Sequence, residues 1–337
     1  MPMAKVAVVG ATGAVGREML KVLEERQFPV GELVCLADPR EEGTIVKFRD
    51  EDIVVRGASP QAFSGVDIAL FAVASEISEV LAPEAVNRGC VVIDNSYAFR
   101  LREGVPLVVP EVNGQDVRQH QGIIANPNCS TIIMVVAVNP IRQAAGIKRI
   151  VVSTYQAVSG AGILGIEELT RQTRAALEGR EEATEVFPYP IAFNLIPHID
   201  VFQDNGYTKE EMKMVWETRK IMHMPDLLVS PTTVRVPVYR SHSESINIET
   251  ERRLSAQEAR EILGKAPGVV VQDDPAAKIY PMPLYTSHRD EVFVGRIRED
   301  ISCETGLNLW VVADQIRKGA ATNAVQIAEI VVEEGLY

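Results

Sequence analysis

The sequence is poor in cysteine and histidine, and this scarcity limits the chemistry that it can support. Its 337 residues contain four cysteines and five histidines. Four cysteines are too few for a disulfide framework, and their spacing is not that of a metal-ligand cluster. We therefore expect a protein with reduced thiols and no metal site.

Long apolar runs and an excess of basic charge are also missing. The chain has no window of about 18 apolar residues, which argues against a membrane-spanning helix. It has 34 basic against 46 acidic residues, so the net charge is −12 at pH 7. This balance argues against nucleic acid or an acidic membrane surface as a partner. The first residues run directly into a predicted strand, so we expect no signal peptide and a cytoplasmic protein.

Strands and helices alternate in the first part of the chain. Hydrophobic residues make up 46% of the sequence, enough for a buried core, and the length predicts two domains. Periodicity predicts strands at 5–10, 33–37, 66–74 and 90–94, and helices at 17–26 and 79–87. This alternation predicts right-handed βαβ units around a mostly parallel sheet.

Beyond about residue 130 the pattern becomes that of an α+β domain. Strands are predicted at 149–157, 234–239, 243–250, 290–298 and 307–313, helices at 132–138, 163–178 and 210–222, and a loop rich in proline and aromatic residues at 181–197. A last predicted helix, 315–333, could return to the first domain. The predicted fold is thus a dinucleotide-type α/β domain followed by an α+β domain.

A glycine-rich segment connects the first strand to the first helix. Glycine permits a tight turn and lets backbone N–H groups approach a pyrophosphate at a helix N-terminus. The alternative is a tight strand-to-helix turn that binds nothing. The position between a strand and a helix favours nucleotide binding by this segment, whose residues include Gly10, Thr12, Gly13, Ala14, Val15 and Gly16.

The end of the second strand gives conflicting indications about the cofactor. Asp38 lies 22 residues beyond Gly16, where an acid accepts a hydrogen bond from a ribose 2′-hydroxyl and favours NAD. Arg40 could instead bind a 2′-phosphate and favour NADP. A solvated Asp-Pro turn without a ligand is the third interpretation.

Cys129 differs from the other cysteines in its surroundings. It lies in the segment NPNCST, 126–131, before an apolar helix that Asn128 or Ser130 can cap. A helix N-terminus stabilises a thiolate, and its N–H groups can stabilise an oxyanion. Cys129 is therefore a candidate nucleophile. The other cysteines are interpreted as small buried residues: Cys35, Cys90 and Cys303.

A thiolate nucleophile needs a partner for proton transfer, and the histidines are the candidates. His242 lies between two predicted strands, where it could face a cleft. The residues alone do not choose it over the other four histidines.

Nine segments distributed along the chain form one ordered set. They are GATGAVG at 10–16, DNSYAFR at 94–100, VPLVVPEVN at 105–113, NPNCST at 126–131, STYQAVSGAG at 153–162, EEMKMVWETRKI at 210–221, VRVPVYRSHSESI at 234–246, GRIRED at 295–300 and KGAATNAVQIAE at 318–329. In this order they resemble the aspartate-semialdehyde dehydrogenase family over nearly the whole length.

The resemblance implies a fold, a reaction and an assembly. It implies a Rossmann-type NAD(P)-binding domain at 1–128, an α+β catalytic and dimerisation domain at 129–314, and a C-terminal helix at 315–337 packed on the first domain. The implied reaction is NADPH-dependent reductive dephosphorylation of L-aspartyl 4-phosphate to L-aspartate 4-semialdehyde, a precursor of lysine, threonine and methionine. The implied partners are this small substrate, phosphate and a second copy of the chain in a homodimer.

The resemblance also implies catalytic roles. Cys129 matches the nucleophile that forms a thioester, and Asn128 matches the residue before it. Gln156 matches the glutamine that orients the acyl group, and His242 matches the general acid/base.

Four residues match groups that hold the charges of the substrate. Arg235 matches the arginine on the α-carboxylate, a contact that suits a planar guanidinium. Glu217 matches the acid on the α-ammonium, and Lys220 and Arg100 match the groups that bind phosphate. Without the resemblance, Glu217 and Lys220 would be interpreted as a solvated i,i+3 pair on a helix.

Three further residues match positions near the nicotinamide end of the cofactor: Ser159, Gly160 and Asn323.

The chain departs from NADP-binding relatives at Asp38 and Glu41, where those relatives commonly carry small hydroxyl residues. Two acids near a 2′-phosphate would repel it. The expected cofactor is therefore NADP, with NAD possible.

Other functions compete with this interpretation. N-acetyl-γ-glutamyl-phosphate reductase shares the glycine loop and the cysteine chemistry, but its uncharged α-nitrogen needs no acid at Glu217. A catalytically silent nucleotide-binding paralogue is expected to lose Cys129 or His242, and both are present. A hydrolase that used the same pair would leave the glycine loop without a role.

Overall fold

The structure is a computed structural model that describes residues 3–337. It consists of two compact units. The first contains the described residues up to Asn128 together with Gly319–Tyr337, and the second is Cys129–Lys318.

The first unit is built on a parallel sheet. Up to residue 128 its elements are β1 (Ala4–Val9), α1 (Ala14–Glu25), β2 (Val30–Ala37), β3 (Ile45–Phe48), β4 (Glu51–Val54), β5 (Arg56–Gly57), β6 (Ile68–Phe71), α2 (Ser75–Val86), β7 (Val91–Asp94), α3 (Pro110–Asn113) and β8 (Ile123–Ala125). Six strands pair in the order β5-β2-β1-β6-β7-β8, all in parallel. The strands β6 and β7 are buried along their whole length, and their residues are apolar except for Asp94 at the end of β7, as expected for strands covered on both faces. The predicted parallel α/β domain is confirmed.

Several predicted boundaries in the first unit are wrong. The first helix begins at Ala14 instead of residue 17, because Gly13 is extended and serves as its N-cap. The strand predicted at 66–74 is shortened to Ile68–Phe71, because its pairing with β1 and β7 covers only these four residues. The antiparallel hairpin of β3 and β4 was not predicted.

The second unit is built on a mixed sheet. Its elements are α4 (Cys129–Ala145), β9 (Arg149–Gln156), α5 (Ile163–Leu177), α6 (Lys209–Ile221), β10 (Leu228–Arg235), β11 (His242–Glu249), α7 (Ala256–Leu263), β12 (Val269–Val271), α8 (Pro283–Thr286), β13 (Val292–Glu299) and β14 (Gly306–Ala313). The sheet order is β10-β9-β11-β14-β13-β12. Strand β9 is parallel to β10 and antiparallel to β11. The predicted α+β domain is confirmed.

The strand predicted at 234–239 is wrong. The structure has β10 at Leu228–Arg235 instead, and the chain leaves the sheet before Pro237. Pro237 has no N–H to donate to a neighbouring strand. Pro231 lies inside β10 without breaking it, because β10 is an edge strand and one of its sides needs no partner.

The chain returns to the first unit at its C-terminus. A π-helical turn, Arg317–Ala321, precedes α9 (Thr322–Glu333). Helix α9 packs against α1 and β7, and Arg26 forms a bidentate ion pair with Glu329 at 2.7 and 2.6 Å. The predicted return of the last helix is confirmed, but its start at 315 is wrong, because Gln315 and Arg317 bond within the second unit.

Two buried side chains of α5 hold the loop predicted at 181–197, which contains no helix or strand. The Glu168 carboxylate accepts hydrogen bonds from the backbone N–H groups of 185–187 at 2.9, 2.6 and 3.4 Å. One turn later, Gln172 Oε1 accepts from the N–H groups of 191 and 192 at 2.8 and 3.3 Å. Because backbone N–H groups turned away from water need acceptors, these two residues allow this part of the loop to pack on the unit.

Replacing Glu168 tests this account. Glu168→Ala leaves three loop N–H groups without their acceptor, and we expect it to lower the free energy of unfolding by about 3 kcal/mol. The neighbouring Glu167 is exposed, so Glu167→Ala is the matched control and should change it by less than about 0.5 kcal/mol. Urea unfolding measures both. Equal effects of the two variants would contradict the role of Glu168.

Candidate active site

Three predicted site residues meet at one end of three adjacent strands. Gln156 is the last residue of β9, and it pairs in register with Arg235, the last residue of β10. His242 is the first residue of the antiparallel β11, and its neighbour Ser243 pairs with Tyr155. Because side chains alternate along strands, the three side chains project from the same face of the sheet.

The backbone of one residue, Ala157, holds two of these side chains. The N–H of Ala157 donates to Nδ1 of His242 at 3.0 Å, and Nη1 of Arg235 donates to the carbonyl of Ala157 at 2.7 Å. Since Nδ1 of His242 accepts, the neutral ring carries its proton on Nε2. Nε2 has no hydrogen-bond partner among residues 3–337. The ring is therefore oriented as a donor whose N–H is available to another group.

The electrostatics keep His242 neutral. It is completely buried, and both burial and the positive charge of Arg235 hold its pKa well below the usual range. Burial also lowers the pKa of Arg235, while the charges of Glu210 and Cys129 act in the opposite direction. Arg235 is therefore close enough to Cys129, Glu210 and His242 for charges on these groups to act on one another.

Gly160 allows these groups to approach the turn that follows β9. A Cβ atom at Gly160 would lie 2.8 Å from Nη1 of Arg235 and 3.5 Å from Nε2 of His242. Only glycine leaves this space. The ring of Phe187, from the loop held by α5, faces the Arg235 guanidinium with 5.8 Å to its centroid, a cation–π distance.

Gln315 fixes the positions of two neighbours of this cluster and was not predicted as a site residue. Its Nε2 donates to Ser159 Oγ at 2.5 Å, and its Oε1 accepts from the Ser241 N–H at 2.9 Å. Ser241 has a φ of 71° directly before His242, a strained conformation for serine. No signal in a single sequence marks such a bridging amide.

Cys129 lies at the start of a helix, as predicted, but α4 begins at Cys129 itself instead of residue 132. It is partly exposed, whereas Asn128 is buried. Burial raises the pKa of Cys35 to about 12 and that of Cys90 to about 11, so these thiols are inert at neutral pH. Cys303 is partly exposed, so its interpretation as a fully buried residue is wrong.

Helix α6 supplies further charged groups. Glu217 is completely buried, so its interpretation as half of a solvated pair is wrong. Lys220 is partly buried, which lowers its pKa, and Glu217 opposes this shift. Glu210 was not predicted as a site residue, yet its Oε1 accepts from Gln156 Nε2 at 3.2 Å.

The glycine loop of the first unit has the geometry of a phosphate cradle. A Cβ at Gly10 or Gly16 would collide with backbone atoms at 2.4 and 2.0 Å, so the fold itself requires both glycines. A Cβ at Gly13 would meet only the Gly10 carbonyl, at an ordinary 3.5 Å, so packing does not require this third glycine. Gly13 caps α1 without a side-chain hydrogen bond. The loop, with Thr12, Ala14 and Val15, therefore fits an anion in front of the helix.

Asp38 and Arg40 bind each other. Nε and Nη2 of Arg40 donate to the two carboxylate oxygens of Asp38 at 2.9 and 2.8 Å. Arg40 thereby holds the pKa of Asp38 below its usual range. Thr12, in the glycine loop, donates to Glu41 at 3.0 Å. The acid and the base that gave conflicting predictions thus form one exposed ion pair.

Arg100 and Asn323 both lie beside Asn126, at the end of β8. Arg100 is buried and donates to the carbonyls of Asn126 and Asn95 at 2.9 and 2.7 Å. Asn323 Nδ2 donates to Asn126 Oδ1 at 2.6 Å and to the Val108 carbonyl at 2.9 Å. The amide nitrogen of Asn323 is thus directed at protein acceptors.

Residues 3–337 contain no group of three or more His, Cys, Asp or Glu residues that could bind a metal ion. No helix in this range is both long and apolar enough to cross a membrane.

Two family models match the chain. Residues 5–120 match the NAD-binding domain of semialdehyde dehydrogenases, and residues 138–318 match the dimerisation domain of semialdehyde dehydrogenases. The chain therefore resembles this family in both of its units.

Individual proteins match over almost their full length. The aspartate-semialdehyde dehydrogenase of Aquifex aeolicus is 59% identical over 98% of this chain and 99% of its own, and that of Bacillus subtilis is 55% identical over 96% of both. The crystal structure of aspartate semialdehyde dehydrogenase II from Vibrio cholerae complexed with ASA has a TM-score of 0.96, with 49% identity over 99% of both chains. The resemblance found in the sequence is confirmed: the chain belongs to the aspartate-semialdehyde dehydrogenase family.

Proposed function

We propose that this chain reduces L-aspartyl 4-phosphate to L-aspartate 4-semialdehyde and phosphate through a thioester on Cys129. The observation that carries the proposal is the meeting of Gln156, Arg235 and His242 at one end of the sheet, with Arg235 in electrostatic reach of Cys129. A nucleophile, a proton donor and a buried cation for an anionic substrate are thereby combined in one unit.

The charged side chains match the charges of this substrate. Arg235 offers a guanidinium fork to the α-carboxylate, and its burial strengthens that contact. Glu217, completely buried, is assigned to the α-ammonium. Lys220 and Arg100 are assigned to phosphate. Membership of the family, in which a Vibrio cholerae enzyme was crystallised with ASA, supports these assignments.

In the mechanism, the Cys129 thiolate attacks the acyl phosphate carbon and phosphate leaves, which forms the thioester. Gln156 orients the acyl group, and Asn128 precedes the nucleophile. A nicotinamide cofactor, when bound, supplies the hydride. The N–H groups at the start of α4 and the Nε2–H of His242 stabilise the oxyanion on the reacting carbon, which then expels the sulfur. His242 is suited to donate from Nε2 because its Nδ1 accepts the hydrogen bond of the Ala157 N–H.

The first unit is assigned to NADP. The glycine loop fits the pyrophosphate, with Gly13 leaving room for it. Asp38 and Arg40 would hold the ribose end, where Arg40 would pair with a 2′-phosphate on leaving Asp38. Ser159, Gly160 and Asn323 are assigned to the nicotinamide end.

A homodimer formed through the second unit is part of the proposal. The match of this unit to a dimerisation domain supports it.

The proposal is tested by following absorbance at 340 nm with L-aspartate semialdehyde, phosphate and either NADP⁺ or NAD⁺. We expect phosphate-dependent reduction of the cofactor. Cys129→Ala should lower the rate by roughly three orders of magnitude or more and leave cofactor binding unchanged. Folded wild-type protein without activity would favour N-acetyl-γ-glutamyl-phosphate reductase or a silent paralogue. Near-wild-type turnover by Cys129→Ala would contradict the nucleophile assignment.

The carboxylate clamp is tested by Arg235→Lys. Lysine cannot form the bidentate contact or donate to Ala157 in the same geometry, so KM for the semialdehyde should rise and kcat should fall, together about 100-fold in kcat/KM. Arg149 is exposed at the opposite end of β9, so Arg149→Lys is the control and should behave as wild type. Unchanged kinetics of Arg235→Lys would refute the clamp.

Cofactor preference is tested by Asp38→Ala. Removal of the acid frees Arg40 for a 2′-phosphate and also removes an acceptor for a ribose hydroxyl, so the ratio of kcat/KM for NADP⁺ to that for NAD⁺ should rise about tenfold or more. Asp52, an exposed acid in the hairpin strand β4, provides the control variant Asp52→Ala. A ratio that stays constant or falls would show that this ion pair does not set the preference.

A further inference from the structure

The loop at 181–197 continues directly into a backbone contact with Arg235. The N–H of Ile196 donates to the Arg235 carbonyl at 3.0 Å, and the N–H of Arg235 donates to the Ile196 carbonyl at 2.8 Å. This exchange of two hydrogen bonds is that of an antiparallel strand pair. The loop is therefore fixed to the last residue of the edge strand β10.

The same loop places the ring of Phe187 against the side chain of Arg235. The centre of the ring lies 5.8 Å from Arg235 Cζ, and both side chains are buried. An aromatic face attracts a cation at this distance, and the attraction is stronger where water is excluded. One loop thus contacts Arg235 both at its backbone and at its guanidinium.

Helix α5 and a small apolar cluster hold the Phe187 ring in place. The N–H of Phe187 donates to the Glu168 carboxylate at 3.4 Å. A Cβ atom at Gly165 would lie 3.2 Å from Phe187 Cζ and 2.5 Å from the Val158 carbonyl, so this turn of α5 requires glycine. The ring belongs to a buried cluster that consists of Val158, Leu169, Phe187, Ile191 and Ile196.

The guanidinium of Arg235 needs a constraint beyond its own hydrogen bonding. Within residues 3–337, the Arg235 side chain makes one hydrogen bond, from Nη1 to the Ala157 carbonyl at 2.7 Å. A group held at one atom can turn about that contact, whereas bidentate binding of a carboxylate requires one fixed plane. The Phe187 ring beside the guanidinium restricts this rotation.

We propose that Phe187 is a positioning residue for substrate binding: its ring fixes the plane in which the Arg235 guanidinium receives the α-carboxylate. This inference rests on the proposed role of Arg235. Because the ring acts through Arg235, its effect is confined to substrates that carry this carboxylate. Binding of phosphate and of the cofactor does not depend on it.

Phe187→Leu replaces the ring by an apolar side chain without an aromatic face. We expect kcat/KM for L-aspartate semialdehyde to fall about 5- to 30-fold, chiefly through a higher KM, with KM for phosphate and NADP⁺ within about twofold of wild type. With 3-aminopropanal, the same aldehyde without its carboxylate, kcat/KM of Phe187→Leu should lie within about twofold of wild type. A loss of folded protein would instead lower the rates with both aldehydes equally.

Ile191→Leu is the matched control. Ile191 is completely buried in the same cluster as Phe187, and the change conserves volume, so this variant should have wild-type kinetics with both aldehydes. Equal losses with the two aldehydes in Phe187→Leu, or the same selective loss in Ile191→Leu, would overturn the inference. Wild-type kinetics of Phe187→Leu with L-aspartate semialdehyde would overturn it as well.

A second measurement does not depend on turnover. The Nη1 and Nη2 atoms of a fixed guanidinium give separate nitrogen resonances, and rotation merges them. The Arg235 resonances, identified by their loss in Arg235→Lys, should be separate in the wild type and in Ile191→Leu and merged in Phe187→Leu. Merged resonances in the wild type, or separate ones in Phe187→Leu, would overturn the inference. If the wild type lacks the proposed activity, the proposed function fails, and this comparison still decides whether Phe187 holds the guanidinium.

Discussion

The catalytic unit depends on the backbone of Ala157, the residue that follows β9. The N–H of Ala157 orients the His242 ring, and its carbonyl holds Arg235. Because backbone atoms at the end of a paired strand cannot move independently of the sheet, both side chains have positions set by the sheet itself. The parallel pairing of β9 with β10 and the antiparallel pairing with β11 bring the two residues to Ala157 from distant parts of the chain.

Burial determines the protonation and the pairing of the charged groups around Ala157. His242 remains neutral because it is buried beside Arg235. Arg235 is balanced by Glu210, which is in turn held by Lys213. Each charge in the cluster thus has an opposite charge nearby, as buried ionic groups require. The same burial that makes these contacts strong makes each of them sensitive to substitution.

One polar contact of the first unit differs from those around Ala157, because it is exposed. The ion pair of Asp38 and Arg40 is open to solvent, so solvent screens it and a ligand can separate its members. The glycine loop is more constrained. The fold requires Gly10 and Gly16, whereas Gly13 is explained by the approach of a ligand to the start of α1.

The sequence by itself determined the fold class, the two-domain order, the nucleotide loop and the position of Cys129 at a helix start, because these depend on local periodicity and on short motifs. It did not determine the start of α1, the extent of β10 or the unpredicted hairpin, which depend on neighbouring strands and loops. Only the tertiary structure brought Glu210 to Gln156 and Gln315 between Ser159 and Ser241. Contacts of this kind join side chains that are 54 to 156 residues apart, and they arise from strand order and register, which local periodicity does not encode.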